Sequence, residues 1–227
     1  MTDTKQTLTK SYSTAANPCA NDADFRPTVH ERLTVDGRAG VNEVCVRGRR
    51  HRLDMAGMLE GTLCGFEIKA DNDDLSRLRA QARAARPRFR RLVLVVGRRH
   101  FKKAVEQVPR WWGVWLASPD LDSPTGVMLT VEREALDNPR FNRLAQAKLL
   151  QKAELRPLLT GHAIDLRGTN DTRNALAQAA ADQLSVEVVE AEILNALQVR
   201  RCDAAEPKHQ ERVPPRRLIS TGMCALA

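Results

Sequence analysis

Short apolar segments separated by turns fill the first half of the chain, and longer segments with helical spacing fill the second. A continuous run rich in Val and Leu at residues 92–97 is typical of a central strand covered on both faces. The segments on either side of the Leu59-Glu60-Gly61-Thr62 turn predict a hairpin. The pattern predicts six strands, at residues 41–46, 52–58, 63–69, 92–97, 112–117 and 127–131, the last at a sheet edge.

Helical spacing marks the segments between and after these strands. Asp73 or Asp74 can cap a helix that ends before Pro87, and Ser185 can cap the last helix of the chain. The strand and helix order predicts an α/β class with a mixed sheet between helices. Helices are predicted at residues 27–33, 74–85, 98–107, 140–159, 170–184 and 186–197.

The 227 residues are enough for one domain with a substantial core and an appendage. We predict a core domain over residues 24–135, followed by a helical extension packed on it over residues 136–200. The polar residues 1–23 and 201–227 are predicted to be disordered. The chain has neither a membrane-span-length apolar run nor a secretory signal pattern. Its five cysteines include no CxxC pair, which favours reduced thiols in the cytoplasm.

Positive charge is concentrated in one segment of the chain. The net charge is +8, and between Leu75 and Arg110 twelve Arg and Lys residues face a single acid, Glu106. Such a basic segment suits a polyanion such as DNA. An arginine-rich, solvated helix face is the alternative explanation.

Three charged side chains, those of Asp54, Glu67 and Lys69, interrupt the otherwise apolar predicted hairpin. Glu67 and Lys69 lie two positions apart, so both point to one face of their strand, while Ile68 points to the other. Asp54 lies on the neighbouring strand, within reach across the hairpin. Carboxylates and an ammonium gathered on one sheet face are costly unless a metal or substrate compensates them. A functional site is therefore the first hypothesis.

The order Asp54, then Glu67-Ile68-Lys69, resembles the D…ExK core of the PD-(D/E)XK nuclease superfamily. Leu53 stands where the superfamily has its name-giving proline. The run from Gly65 to Leu75, followed by Arg77-Leu78 and Gln81, is similar to a poorly characterised bacterial branch of that superfamily. The resemblance covers residues 30–118 best. It implies a three-layer α/β/α, restriction-endonuclease-like core and a metal-dependent nuclease that acts on DNA in repair or defence.

The resemblance also implies roles for individual residues. Asp54 and Glu67, with the Ile68 carbonyl, would hold Mg²⁺ or Mn²⁺, and Lys69 would orient or help deprotonate the attacking water. Such nucleases usually have a further acid earlier in the chain. Glu43 is our choice for it, and Glu31 on the first predicted helix is the rival.

Three further residues of the matching pattern are expected to contact the nucleic acid. Arg52 lies two positions before Asp54, as in the R-x-D of the similar branch. Arg77 and Gln81 lie one helical turn apart, where both could touch phosphate or a metal-bound water.

Two other classes of function stay open at this point. One is a nucleic-acid-binding or scaffolding protein that keeps the fold without catalysis. The other is a structural protein whose C-terminal helices mediate assembly, and a homodimer is one option for the oligomeric state. The absence of P-loop, GxGxxG and GxSxG patterns removes support for nucleotide hydrolysis, dinucleotide binding and α/β-hydrolase chemistry.

Overall fold

The computed structural model describes residues 19–33, 40–47 and 51–205. Residues 48–50, between the first two predicted strands, and most of both predicted disordered tails lie outside these ranges. Among the described residues, none of the helices combines the length and the apolar character that a membrane span needs.

A six-stranded mixed sheet forms the centre of the fold, with the strands in chain order across it. The first three strands pair antiparallel, the third to fifth pair parallel, and the sixth closes one edge antiparallel. Each lies at a predicted position, because alternating and β-branched segments are local signals. The strands are β1 (Val41–Arg47), β2 (His51–Leu59), β3 (Thr62–Lys69), β4 (Arg91–Gly97), β5 (Gly113–Pro119) and β6 (Val127–Arg133).

Helices cover both faces of the sheet, which confirms the α/β class and its C-terminal helices. The α1 face has a core that includes Phe25, Val29, Phe66 and Ile68. All other helices lie on the opposite side, here called the α7 face, with the larger core. The helices are α1 (Asp22–Leu33), α2 (Leu78–Ala85), α3 (Phe101–Val105), α4 (Arg143–Ala147), α5 (Lys152–Gly161), α6 (Arg173–Gln183) and α7 (Val186–Ala205).

Both ends of the described chain are more ordered than predicted. Cys19 is buried, the Asp71 amide donates to its carbonyl at 3.1 Å, and α1 begins at Asp22. The prediction of disorder over residues 1–23 is therefore wrong for residues 19–23. At the other end, α7 continues to Ala205, past the predicted tail boundary at residue 201.

Two predicted helices are shorter than expected. The carboxylate of Asp74 accepts hydrogen bonds from the Ser76 amide at 2.9 Å and the Ser76 hydroxyl at 2.5 Å. These bonds close a separate turn, so Asp74 does not cap a helix, and α2 begins only at Leu78. In the segment predicted at residues 98–107, only α3 is helical.

The C-terminal helices complete the core domain rather than stand apart from it. Leu155, Leu176 and Ile193 belong to the same buried cluster as Leu53 and Leu92 of the sheet. Of these helices, α7 packs on β1, β2 and β3, while α4, α5 and α6 pack on one another and on α7.

Candidate functional site

Three acidic residues lie side by side on three adjacent strands. Asn42 pairs with Met55 and Val44 with Leu53, which places Glu43 of β1 across from Asp54 of β2. Met55 pairs with Phe66, so Asp54 and Glu67 are the next residues along β2 and β3. Glu43, Asp54 and Glu67 therefore form a row across the sheet, called here the acid row.

Along β1 and β2, the alternation of side chains between the two sheet faces is interrupted at the acid row. Leu53 and Ala56, three positions apart, face the same core, while Met55 faces the other. On β1, Val41 and Val44 show the same three-residue spacing, and Glu43 between them has φ 58°. A non-glycine residue in this region is strained, and such strain often accompanies a functional site. The strict alternation assumed from the sequence does not hold here.

Glu67 and Lys69 form a buried ion pair on the α7 face. Lys69 Nζ lies 2.5 Å from Glu67 Oε1 and 3.1 Å from the Ile68 carbonyl, to which it also donates. Glu67 has no exposed surface, and its second oxygen, Oε2, has no hydrogen-bond partner among the described residues. Burial, together with the charge of Asp54, raises the pKa of Glu67 to about 8, and Lys69 offsets only part of this rise.

The carboxylate of Asp54 forms a hydrogen bond to β3, the strand that carries Glu67 and Lys69. Its Oδ2 accepts a hydrogen bond from the Ile68 amide at 2.7 Å. Burial raises the pKa of Asp54, although the Ile68 amide and the charges of Lys69 and Arg26 act in the opposite direction. The two carboxyl groups therefore share one poorly solvated region.

Glu43, the third acid, is half-exposed and held by two arginines. Arg26 Nη2 lies 2.7 Å from Glu43 Oε1, and Arg52 Nε lies 3.4 Å from Oε2. Arg26 also donates to the Asp54 carbonyl at 3.5 Å. Sequence reasoning missed Arg26, and no local signal marks it, since only the packing of α1 brings it to the site. Glu31 instead lines a groove between α1 and β6.

A cavity of about 450 Å³ opens beside the acid row. It brings together five residues predicted to be functional: Glu43, Arg52, Asp54, Arg77 and Gln81. Glu67 and Lys69 are buried next to it rather than in its wall. The Oε1 atom of Gln81 is buried and lacks a partner among the described residues. His51 also lines this cavity, although no spacing in the chain connects it with the carboxylates.

The oxygen atoms around the acid row fit a hard divalent cation. Asp54, Glu67 and the Ile68 carbonyl offer the donors that Mg²⁺ and Mn²⁺ prefer, and Mg²⁺ is usually held by one or two carboxylates plus water and substrate oxygens. The unpartnered Oε2 of Glu67 is the observation in favour of such an ion. Across residues 19–33, 40–47 and 51–205, no group of three His, Cys, Asp or Glu residues forms an all-protein metal site.

Arginines of the basic segment differ in whether they form ion pairs. Arg90 and Arg91 are used in ion pairs with acids of other elements. By contrast, Arg77 directly before α2, and Arg79 and Arg83 on it, are exposed and form no ion pair within the described part of the chain. The outer face of α2 next to the cavity is therefore positively charged.

Comparison with known proteins matches this chain to one protein family. The sequence model of the family described as "Bacteriophage P4 protein cII" matches residues 28–210, a range that contains the acid row and Lys69. Protein cII of Enterobacteria phage P4 is 24% identical over 160 residues, which cover 70% of this chain and 58% of that protein. The chain thus spans less than two thirds of that relative. A protein of unknown function from Silicibacter pomeroyi superposes with a TM-score of 0.41 and 18% identity, covering 67% of this chain and 95% of that one.

Proposed function

This chain belongs to the bacteriophage P4 protein cII family, and we propose that it is a metal-dependent nuclease that hydrolyses phosphodiester bonds in DNA. The observation that carries the proposal is the buried carboxylate of Glu67 next to Asp54: one oxygen contacts Lys69, and the other has no hydrogen-bond partner in the part of the chain that the structure describes. This arrangement supports membership of the PD-(D/E)XK nuclease superfamily, with Leu53 in place of its proline.

Asp54, Glu67 and the Ile68 carbonyl would hold Mg²⁺ or Mn²⁺. When bound, such an ion supplies charge neutralisation at the phosphoryl oxygens and lowers the pKa of a bound water. Its positive charge would favour ionised carboxyl groups, against the effect of burial on Asp54 and Glu67.

Lys69 and the cavity residues have distinct roles in this proposal. Lys69 carries its ammonium at the inner end of the site, where it can orient the attacking water and stabilise charge on the phosphate. Arg52, Arg77 and Gln81 line the cavity and offer hydrogen-bond donors to phosphate oxygens of the strand. Glu43 lies across from Asp54 and would orient a water of the metal.

A second candidate, a DNA-binding or scaffolding protein without catalysis, is favoured by the ion pairs of the acid row. Lys69 binds one oxygen of Glu67, and Arg26 and Arg52 pair with Glu43. These partners, together with protonation of Glu67, reduce the negative charge of the acid row without a metal. The exposed arginines at the start of and along α2 suffice for sequence-independent binding.

Cleavage of labelled duplex and single-stranded DNA separates the two candidates. Wild type would be assayed with Mg²⁺, with Mn²⁺ and with EDTA, beside Lys69→Ala and Asp54→Asn. Lys148→Ala serves as the control, because it removes a positive charge outside the site. If the protein is a nuclease, the wild type and the control should cut DNA in a metal-dependent way and both site variants should not. All four proteins should still bind DNA in EDTA. Binding without cutting in any protein would refute the nuclease and leave the second candidate.

Action in DNA repair or in defence against foreign DNA, and a cytoplasmic location, belong to the same proposal. In support, Cys45 and Cys64 are free thiols, as a reducing compartment would keep them.

A further inference from the structure

A row of in-register residues leads from Lys69 to a second cavity. Lys69 of β3 pairs with Val96 of β4, and Val96 pairs with Leu116 of β5. Paired residues of adjacent strands point to the same face, so Leu116 lies on the α7 face with Lys69. Two strand spacings separate their Cα atoms by about 10 Å.

The second cavity combines positive charge with an apolar floor. Its volume is about 480 Å³, and its lining residues are Arg98, Arg99, Phe101, Lys102, Lys103 and Leu116. Lys102 and Lys103 are exposed, and neither forms an ion pair with an acid in the described ranges. Arg98 donates through Nε to the Ser118 hydroxyl at 3.0 Å. None of the described residues that line this cavity carries a carboxylate.

The rim of this second cavity is tied to the end of the strand that carries Lys69. The Arg99 amide donates to Asp71 Oδ1 at 3.1 Å, and Arg99 Nη1 and His100 Nε2 each donate to the Asp71 carbonyl at 3.1 Å. Asp71 lies two residues after Lys69. Gly97 permits this contact, because a side chain there would collide with the Asp71 carboxylate. The two cavities therefore keep a fixed spacing.

We propose that the second cavity is a subsite for one nucleotide of the DNA strand, adjacent to the phosphate on which Lys69 acts. The base lies against Phe101 and Leu116, and the phosphates lie against Arg99, Lys102 and Lys103. A purely ionic ligand would leave the apolar floor unused, and a purely apolar ligand would leave four cations unused. A nucleotide uses both, since bases stack on aromatic rings while basic side chains follow the backbone. The subsite rests on the proposed action on DNA.

Binding of a fluorescein-labelled ten-nucleotide oligodeoxythymidylate in EDTA, followed by anisotropy, tests the subsite apart from catalysis. Phe101→Leu keeps apolar packing but removes the aromatic ring, and should weaken binding about tenfold. Lys102→Ala/Lys103→Ala should lower the slope of log affinity against log salt by about 1. The control pair Arg140→Ala/Lys148→Ala removes the same charge elsewhere and should change the slope clearly less.

An abasic oligonucleotide of the same length gives a test that needs no variant. Wild type should bind it about as weakly as Phe101→Leu binds the thymidylate probe, and Phe101→Leu should bind both probes equally. Equal wild-type affinity for the two probes would overturn the subsite. A salt slope of the Lys102→Ala/Lys103→Ala variant equal to that of the control pair would overturn it as well. Neither result would contradict cleavage of DNA by the wild type. Binding that depends on this cavity in a protein that does not cut DNA would support the subsite and refute the nuclease.

Discussion

Glu190 and Arg90 form a bidentate ion pair inside the fold, although one hundred residues separate them in the chain. Arg90 Nε lies 2.9 Å from Glu190 Oε1, and Nη2 lies 2.8 Å from Oε2. The Leu63 amide and Gln146 Nε2 donate to the same carboxylate at 3.1 Å and 3.0 Å. Glu190 has no exposed surface, so these bonds replace all of its hydration. They fix α7 and α4 to the beginning of β3 and β4.

Glu190→Ala should lower the free energy of unfolding by about 3–5 kcal/mol, because the Leu63 amide and Gln146 Nε2 lose their acceptor and Arg90 loses its buried carboxylate. Urea denaturation measures the change. Glu187→Ala is the matched control, since Glu187 pairs with the same arginine at 3.2 Å but is 63% exposed. Its denaturation midpoint should stay nearly unchanged, because water replaces an exposed partner. Equal losses in the two variants would contradict the structural role of Glu190.

Gly97→Ala should destabilise the protein by about 1–3 kcal/mol, because the new methyl group overlaps the Asp71 carboxylate and must displace it. The Arg99 amide would lose its acceptor, so DNA affinity should fall as well. Gly161→Ala is the control: it lies in α5 with no atom within 4 Å of an added Cβ. It should be neutral or slightly stabilising, as alanine favours helix. Thermal melting of both variants checks the contrast, and similar melting temperatures would count against it.

Glu43→Gln should reduce DNA cleavage about 10- to 100-fold, as expected when a group that orients the first-shell ligands of a metal is lost. Glu31→Gln should leave cleavage unchanged, because Glu31 lies in the groove between α1 and β6. Rates at saturating and at low DNA concentration would separate an effect on catalysis from one on binding. A loss in Glu31→Gln instead would make Glu31 the earlier acid.

In metal-free protein, the stability contribution of Glu67 should fall as pH rises from about 4.5 to about 8. The pKa of Glu67 is raised from an ordinary 4.5 to about 8 in the folded state. Between these values the folded protein holds a proton that the unfolded chain has released, so rising pH favours unfolding. Below this window both states are protonated, and above it both are ionised.

Glu67→Gln removes this ionisation and checks the sign. Urea denaturation of wild type and variant in EDTA, at several pH values from 5 to 8.5, would give their difference in stability. The free energy of unfolding of the variant, relative to that of the wild type, should increase as pH rises. A difference that does not change with pH would show that Glu67 stays ionised in the folded protein.

Local patterns in the chain were sufficient to predict the strands and the central part of the acid row. Alternating and β-branched segments are local signals, and the turn at Glu60 and Gly61, with φ of 49° and 72°, closes the β2–β3 hairpin. Register within a hairpin follows from its turn, so Asp54, Glu67 and Lys69 could be grouped without knowledge of distant contacts. The grouping of Glu43, Arg52, Arg77 and Gln81 was also expected, and one cavity holds them all with Asp54.

The surroundings of these residues depend on how distant elements pack, which no local pattern reports. Arg26 reaches Glu43 because α1 packs across the sheet, and His51 enters the cavity wall although no spacing in the sequence connects it with Asp54. The phase change at Glu43 and the burial of Glu190 likewise depend on packing between elements far apart in the chain. Hydrophobic periodicity reports which side of one element is buried, but it does not report which charged groups of other elements meet there.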